Sequence, residues 1–238
     1  MACQLNISHK YKSSNFDSRK KKINYIVIHY TETKTLKKAL DLLTDKIRRV
    51  SCHYIIDTNG KTFNLVNLSD RAWHAGDSKW KKSSDINSRS IGIELVNAGE
   101  EKIERFKNKQ INSLIRLIIF LKKKFKICNS KILGHSDIAP LRKIDPGIHF
   151  PWKKLHKESI GLWTKDRIDK SNLNKKEYLE LITNLKKIGY CYMETSNHSR
   201  NKIVINAFHR HHLPKMINKD PNKSSLFKSR DLIKLKKN

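Results

Sequence analysis

Acidic residues are scarce in this sequence: 22 Asp and Glu stand against 51 Lys and Arg in 238 residues, giving a formal net charge of +29. Arginine is scarce as well. The basic set is 39 Lys and only 12 Arg, with Lys spread along the whole chain beside abundant Asn and Ile, the mark of a compositional bias. Such a charge draws a protein toward polyanions. Readers of nucleic acid, however, lean on Arg for bidentate base contacts, so no nucleic-acid partner is expected. Cysteine is limited to Cys3, Cys52, Cys128 and Cys191, without CxxC spacing. That argues against a zinc ribbon and a dense disulfide framework, and reduced thiols in a cytosol are the simplest reading. Long apolar runs are missing too. Nothing reaches the ~18 residues of a membrane span. The N-terminus MACQLNISHKYKSS has no apolar run of secretory-signal length, and none that would make Cys3 a lipoprotein cysteine. If residue 1 is the native start, a cytoplasmic protein is expected, with a periplasmic or cell-wall-associated one as the alternative.

What is present suffices for a core. Hydrophobic content is 37%, but it is clustered in segments such as Tyr25–His29 and Leu114–Leu121, unlike a disordered chain. Residues 1–22 are polar, end in Arg19-Lys20-Lys21-Lys22 and read as a flexible basic arm. INYIVIH, residues 23–29, reads as a buried strand. Thr35–Val50 has helical spacing. Tyr54–Ile56 and Thr62–Val66 flank the turn Asp57-Thr58-Asn59-Gly60 as a hairpin. SIGIELV, residues 90–96, is a further strand, and Lys107–Phe125 is the strongest helix. Strands mixed with helices predict an α/β domain over residues 23–160, with a central mixed β-sheet flanked by helices. A polar linker at 161–171 follows. Helical patterns at Lys175–Ile188, ending at Gly189 as a helix C-cap, at Lys202–His212 and at Ser225–Lys236 predict a small C-terminal three-helix domain over residues 172–238.

Three polar residues sit where apolar elements end. His29 closes INYIVIH, His135 follows ILG in LGHSDIAP, and Asp145 precedes the Pro-Gly turn of RKIDPG. Side chains at strand ends and on rigid turns are well placed to converge on a cleft. Two His and one carboxylate suit catalytic Zn²⁺, leaving a fourth position open. Spacing alone is weak support, because the two histidines lie 106 positions apart and Asp137 competes with Asp145 as the carboxylate. The other histidines, including His9, His149, His156, His198 and the run His209/His211/His212, have no persuasive partner and read as surface or packing residues.

Taken together, IVIHYTET, CHYIIDTNGKTFNLV, AWHAG, SIGIELVNAG and GHSDIAPLRKIDPGIHFPW resemble the N-acetylmuramoyl-L-alanine amidases of the zinc amidase superfamily, to which the peptidoglycan recognition proteins also belong. The likeness spans residues 23–155 in the family's order. Through GHSDIAP and RKxDPGxxFPW it is greatest to bacterial amidases acting on anhydro-muropeptides. The resemblance implies hydrolysis of the amide bond between (anhydro-)N-acetylmuramic acid and L-alanine, with peptidoglycan or muropeptide fragments as partners. It implies one Zn²⁺ per chain on His29, His135 and Asp145, favouring Asp145 over Asp137, which then orients the loop or a ligand histidine. Glu94, opposite Ile91, Ile93 and Leu95 on its strand, maps to the family's catalytic acidic residue, a general base. Lys143 maps to its second catalytic position, stabilising an oxyanion. Tyr54 and His74 match positions lining the substrate cleft, Arg71 could pair with a peptide carboxylate, and Trp73 reads as packing. His149 departs from the small or apolar residue usual after DPG. LKKIGY and IVINAFHRHHLP resemble a small peptidoglycan-binding helical domain, with His209 replacing the usual glutamine. Two alternatives are a non-catalytic peptidoglycan-binding module and a basic nucleic-acid binder. The presence of all five catalytic positions favours the enzyme over the first, and the second gives Asp145 and Glu94 no role.

Overall fold

A computed structural model describes residues 5–237; residues 1–4, Cys3 among them, and Asn238 lie outside the described residues. Among the described residues there are eight strands: β1 (Ile7–Ser8), β2 (Phe16–Ser18), β3 (Tyr25–Tyr30), β4 (Tyr54–Ile56), β5 (Thr62–Asn64), β6 (Asp70–Ala72), β7 (Ser90–Leu95) and β8 (Ile132–Gly134). Six form one mixed sheet in the order β1-β5-β4-β7-β3-β8, and β2 pairs with β6. The four strands β4, β7, β3 and β8 run parallel. The expected hairpin is the antiparallel β4–β5 pair, with Ile56 opposite Thr62.

The helices are α1 (Leu36–Thr44), α2 (Ile86–Arg89), α3 (Asn108–Phe125), α4 (His135–Ile138), α5 (Trp152–Lys157), α6 (Lys175–Ile188), α7 (His198–His212) and α8 (Lys223–Lys237). The helix expected over Thr35–Val50 starts on its Thr35 cap but stops at Thr44. The Asp45 carboxylate accepts the Ile47 N–H, a turn that competes with helix continuation and leaves Ile47 90% exposed.

Side-chain alternation along β3 and β7 divides the interior into two layers. Ile26, Ile28, Ile91, Ile93 and Leu95 face α3, meeting Ile111, Leu114, Ile118 and Leu121. On the opposite face α1 covers Ile55 and Phe63 with Ala39, Leu40 and Leu43. Farther along that face Val27 and Leu133 lie in a cluster with Leu181, Leu185 and Phe208 from the C-terminal helices. His29 and Glu94, partners in the β3–β7 register, share this face between the two helical covers.

One expectation needs correction. Over residues 5–22 the supposed flexible arm is part of the fold, since β1 pairs with β5 and β2 with β6. The Arg19 guanidinium donates to the carbonyls of Leu68, Ser88, Ser90 and Asp70, and five fixed N–H donors make it a rigid clamp. The helices after residue 172 do form, α6 with a reciprocal Asn174–Glu177 capping box. Their apolar side chains, however, join the same cluster as Tyr25, Trp80 and Ile138 of the preceding region. A Cβ at Gly189 would meet the Trp80 ring at 2.2 Å, so the end of α6 closes directly onto that ring. The Asp137 carboxylate accepts from Tyr190 Oη (2.6 Å) and lies 2.7 Å from His211 Nδ1, joining α4 to both segments. The run His209/His211/His212 is buried, and His211 stacks between Trp152 and His212 at 3.7 and 3.8 Å.

Truncation after residue 170 should therefore uncover Val27, Trp80, Leu133 and Ile138. Exposure costs roughly 1.5–3 kcal/mol per large apolar side chain, a sum comparable to the ~5–15 kcal/mol stability of a typical domain. Thermal unfolding of the 1–170 fragment should show a strongly lowered midpoint or insoluble protein. A midpoint equal to that of the whole chain would show that residues 172–238 fold independently.

Candidate active site

Each of the three polar residues singled out at element ends reaches one point. Alternation on β3 that sends Ile26 and Ile28 toward α3 sends His29 to the other face. His135 is the first residue of α4, immediately beyond β8, and Asp145 lies in the following loop, its peptide bond to Pro146 cis. A Cβ at Gly134 would meet Pro146 Cδ at 2.7 Å, so a glycine there lets that loop close on the strand end. His29 Nδ1 lies 2.9 Å from Asp145 Oδ2, His135 Nδ1 lies 3.2 Å from the same oxygen, and the two Nδ1 atoms are 3.0 Å apart. All three residues are buried, and their ligand atoms lie within 4.8 Å of one another.

The outer nitrogens assign the tautomers. Ser90 Oγ donates to the Ile86 carbonyl (2.6 Å), so it accepts from His74 Nε2 (3.0 Å). His74 Nδ1 is then bare and accepts from His29 Nε2 (3.0 Å). His135 Nε2 donates to the Ala75 carbonyl (3.2 Å). Burial first, then the neighbouring His135, lowers the His29 pKa to about 4, so its ring is neutral at pH 7. In its neutral form, each of the His29 and His135 rings then carries its one proton on the outer side. Two bare nitrogens and a carboxylate oxygen face one another with no proton to share, a donor set that fits a divalent cation.

This group opens on a cleft of about 400 Å³ also lined by Tyr30, Thr31, Glu32, Trp73, Glu94, Arg142 and Lys143. Burial, followed by the nearby Asp145 charge, pushes the Glu94 carboxyl well above the usual range, and Lys143 partly offsets this. Glu94 Oε2 is buried without a hydrogen-bond partner among the described residues. Lys143 is exposed on the cleft wall.

Asp137 is turned away from the group. Its Oδ2 accepts the Gly134 N–H (2.7 Å), and both oxygens hold the C-terminal segments described above. Three expected cleft residues are elsewhere or differently employed. Tyr54 sits on the α3 face, 4% exposed in that core, because β4 alternation places it opposite the Ile55 face. The Arg71 guanidinium is committed to the carboxylates of Asp17 (3.1 Å) and Asp85 (3.0 Å). His74 borders the cleft, but both its ring nitrogens are engaged beneath it by His29 and Ser90. Trp73, expected as packing, lines the cleft and bonds Asp17 through Nε1. Sequence reasoning missed Tyr30, Thr31 and Arg142. The strings IVIHYTET and PLRKIDPG, which continue from the ligand residues, carried that signal.

Comparison with known proteins agrees with this geometry. Residues 19–148 match the family described as N-acetylmuramoyl-L-alanine amidase. The chain is 34% identical over 219 residues to N-acetylmuramoyl-L-alanine amidase AmiD of Escherichia coli, covering 83% of this chain and 77% of that protein. It is 43% identical over 107 residues to 1,6-anhydro-N-acetylmuramyl-L-alanine amidase AmpD of Haemophilus influenzae, covering 44% of this chain and 56% of that one. Among solved structures, the E. coli AmiD complex with the substrate anhydro-N-acetylmuramic acid-L-Ala-D-γ-Glu-L-Lys superposes with a TM-score of 0.81 at 29% identity, covering 95% of this chain and 93% of that one. The fold, the geometry of the site and these likenesses point the same way: the chain belongs to the N-acetylmuramoyl-L-alanine amidase family of hydrolases.

Proposed function

We propose that this amidase uses one zinc ion, held by His29, His135 and Asp145, to cut the bond between the lactyl group of (anhydro-)N-acetylmuramic acid and L-alanine in muropeptides, and in intact peptidoglycan where it is accessible. The observation that carries this reading is the convergence of His29, His135 and Asp145, whose ligand atoms lie within 4.8 Å of one another on the lining of the cleft. A zinc ion bound there acts as a Lewis acid that polarises the scissile carbonyl and acidifies water. Glu94, on the neighbouring strand, takes a proton from the attacking water and passes it to the departing alanine nitrogen as the C–N bond breaks. Lys143 places a positive charge beside the carbonyl oxygen as negative charge develops on it. Three free thiols among the described residues, Cys52, Cys128 and Cys191, support a reducing compartment, the cytoplasm, where such a reaction recycles cell-wall fragments. No helix among the described residues is long and apolar enough to cross a membrane. Residues 172–238 act in this reading as a buttress for α4, through Tyr190 and His211, as well as any contact they make with the wall.

Metal analysis of the purified chain should give about one zinc per molecule, and a chelator should abolish turnover reversibly. Asp145→Ala should lose the metal. Full turnover by zinc-free protein would refute the assignment.

Glu94→Ala should bind zinc normally yet turn over about 10²–10⁴-fold more slowly, the usual cost of losing a general base. Near-parental rates on a defined muramoyl-peptide would place the base elsewhere.

Lys143→Ala should lower kcat by about 10²–10³, by analogy with loss of an oxyanion donor, with little change in KM. Steady-state kinetics separates the roles, because a raised KM at constant kcat would make Lys143 a substrate-binding group.

A further inference from the structure

Both histidine ligands lean on the same two residues. His29 Nε2 donates to the His74 ring and His135 Nε2 donates to the Ala75 carbonyl. The backbone N–H groups of His74 and Ala75 in turn both donate to one buried atom, Asn87 Oδ1, at 3.0 and 2.7 Å. Ser90 Oγ, three residues beyond Asn87, receives the far nitrogen of His74. From the other side Arg19 grips the backbone carbonyls of Ser88 and Ser90. Room for the His74 ring exists only because β7 carries Gly92 beneath it, where a Cβ would lie 2.3 Å from the ring.

From this arrangement we infer that the dipeptide His74-Ala75, pinned by Asn87 and Ser90, is a positioning platform that fixes the tautomer and orientation of both ligand histidines. The inference rests on the metal-amidase reading above. The physical reason lies in proton placement. A neutral imidazole has one N–H, and a histidine can ligate through Nδ1 only if that proton sits on Nε2. His74 could accept or donate at Nδ1 in isolation. Ser90, whose own proton is taken by Ile86, forces Nε2–H on His74 and so a bare Nδ1 toward His29. Orientation is shared as well, because a shift in the His74-Ala75 backbone moves the acceptors of both ligands together. Asn87, with two N–H groups on one carbonyl oxygen, sets that backbone. Partners of this kind behind ligand histidines typically change metal affinity or activity by about 10–100-fold.

The test uses the full chain with zinc alone as probe, measured by chelator competition, alongside ¹⁵N chemical shifts of the His29 ring in zinc-free protein. His74→Phe keeps a ring over Gly92 but removes the acceptor. It should weaken zinc about 10–100-fold and shift His29 away from a pure Nε2–H tautomer. Ser90→Ala, a smaller change, should weaken zinc about tenfold, at the lower end of that range, and Ser90→Thr should restore it. Asn87→Ala should weaken zinc similarly, while Asn87→Asp, which keeps an acceptor for the two N–H groups, should recover part of the loss. Should His74→Phe not fold, the Ser90 pair decides alone. Zinc affinity within twofold of the parent in Ser90→Ala, with an unaltered His29 tautomer, overturns the platform while leaving the zinc site intact. A parent chain that takes up no zinc overturns the site and the platform together.

Discussion

Everything in this molecule depends on keeping three hydrogen-bond acceptors face to face in a buried place. Two bare imidazole nitrogens and a carboxylate oxygen repel one another, and an uncompensated buried carboxylate costs several kcal/mol. Such a cluster persists only where surrounding structure over-determines it or a cation neutralises it. Here the over-determination is visible. His29 is fixed by its strand register, His135 by the start of a helix, and Asp145 by a loop that closes over Gly134. The outer side of each ring is then tied to a defined acceptor.

This demand explains why so much of the chain is spent away from the cleft. The sheet face holding His29 and Glu94 cannot be covered by one continuous helical layer, because a cover would bury the site. Instead α1 closes one side and the C-terminal helices the other. The cleft lies between α1 on one side and the loop carrying Arg142, Lys143 and Asp145 on the other. Asp137 links the second cover to α4 through Tyr190 and His211, and Arg19 fixes the segment beneath His74 from the N-terminal side. Regions that look peripheral in the sequence therefore pack against the segments that carry His74 and His135.

The large positive charge plays no comparable part. Most lysines lie on the surface, where a single ion pair contributes ~0–1 kcal/mol. Within the cleft, Lys143 lies close enough to Glu94 to offset part of the rise in its carboxyl pKa.

The linear sequence by itself determined the alternation that puts His29 on one face of β3 and Glu94 opposite Ile91, Ile93 and Leu95. It also determined the strand ends and turns that present His135 and Asp145, and the capped helices after residue 172. These are local properties: side-chain period, capping chemistry and turn residues act within a few positions. Only the tertiary structure decided that Tyr54 faces α3, that Arg71 is held by Asp17 and Asp85, and that His74 supports His29 from below. Only it showed Arg19 as a clamp and not as the end of a loose arm, and the last three helices as part of one core. Each of these depends on which segments meet across the sheet, and contacts such as Arg19–Ser90, His29–His74 and Asp137–His211 join residues too far apart for any local pattern to pair them.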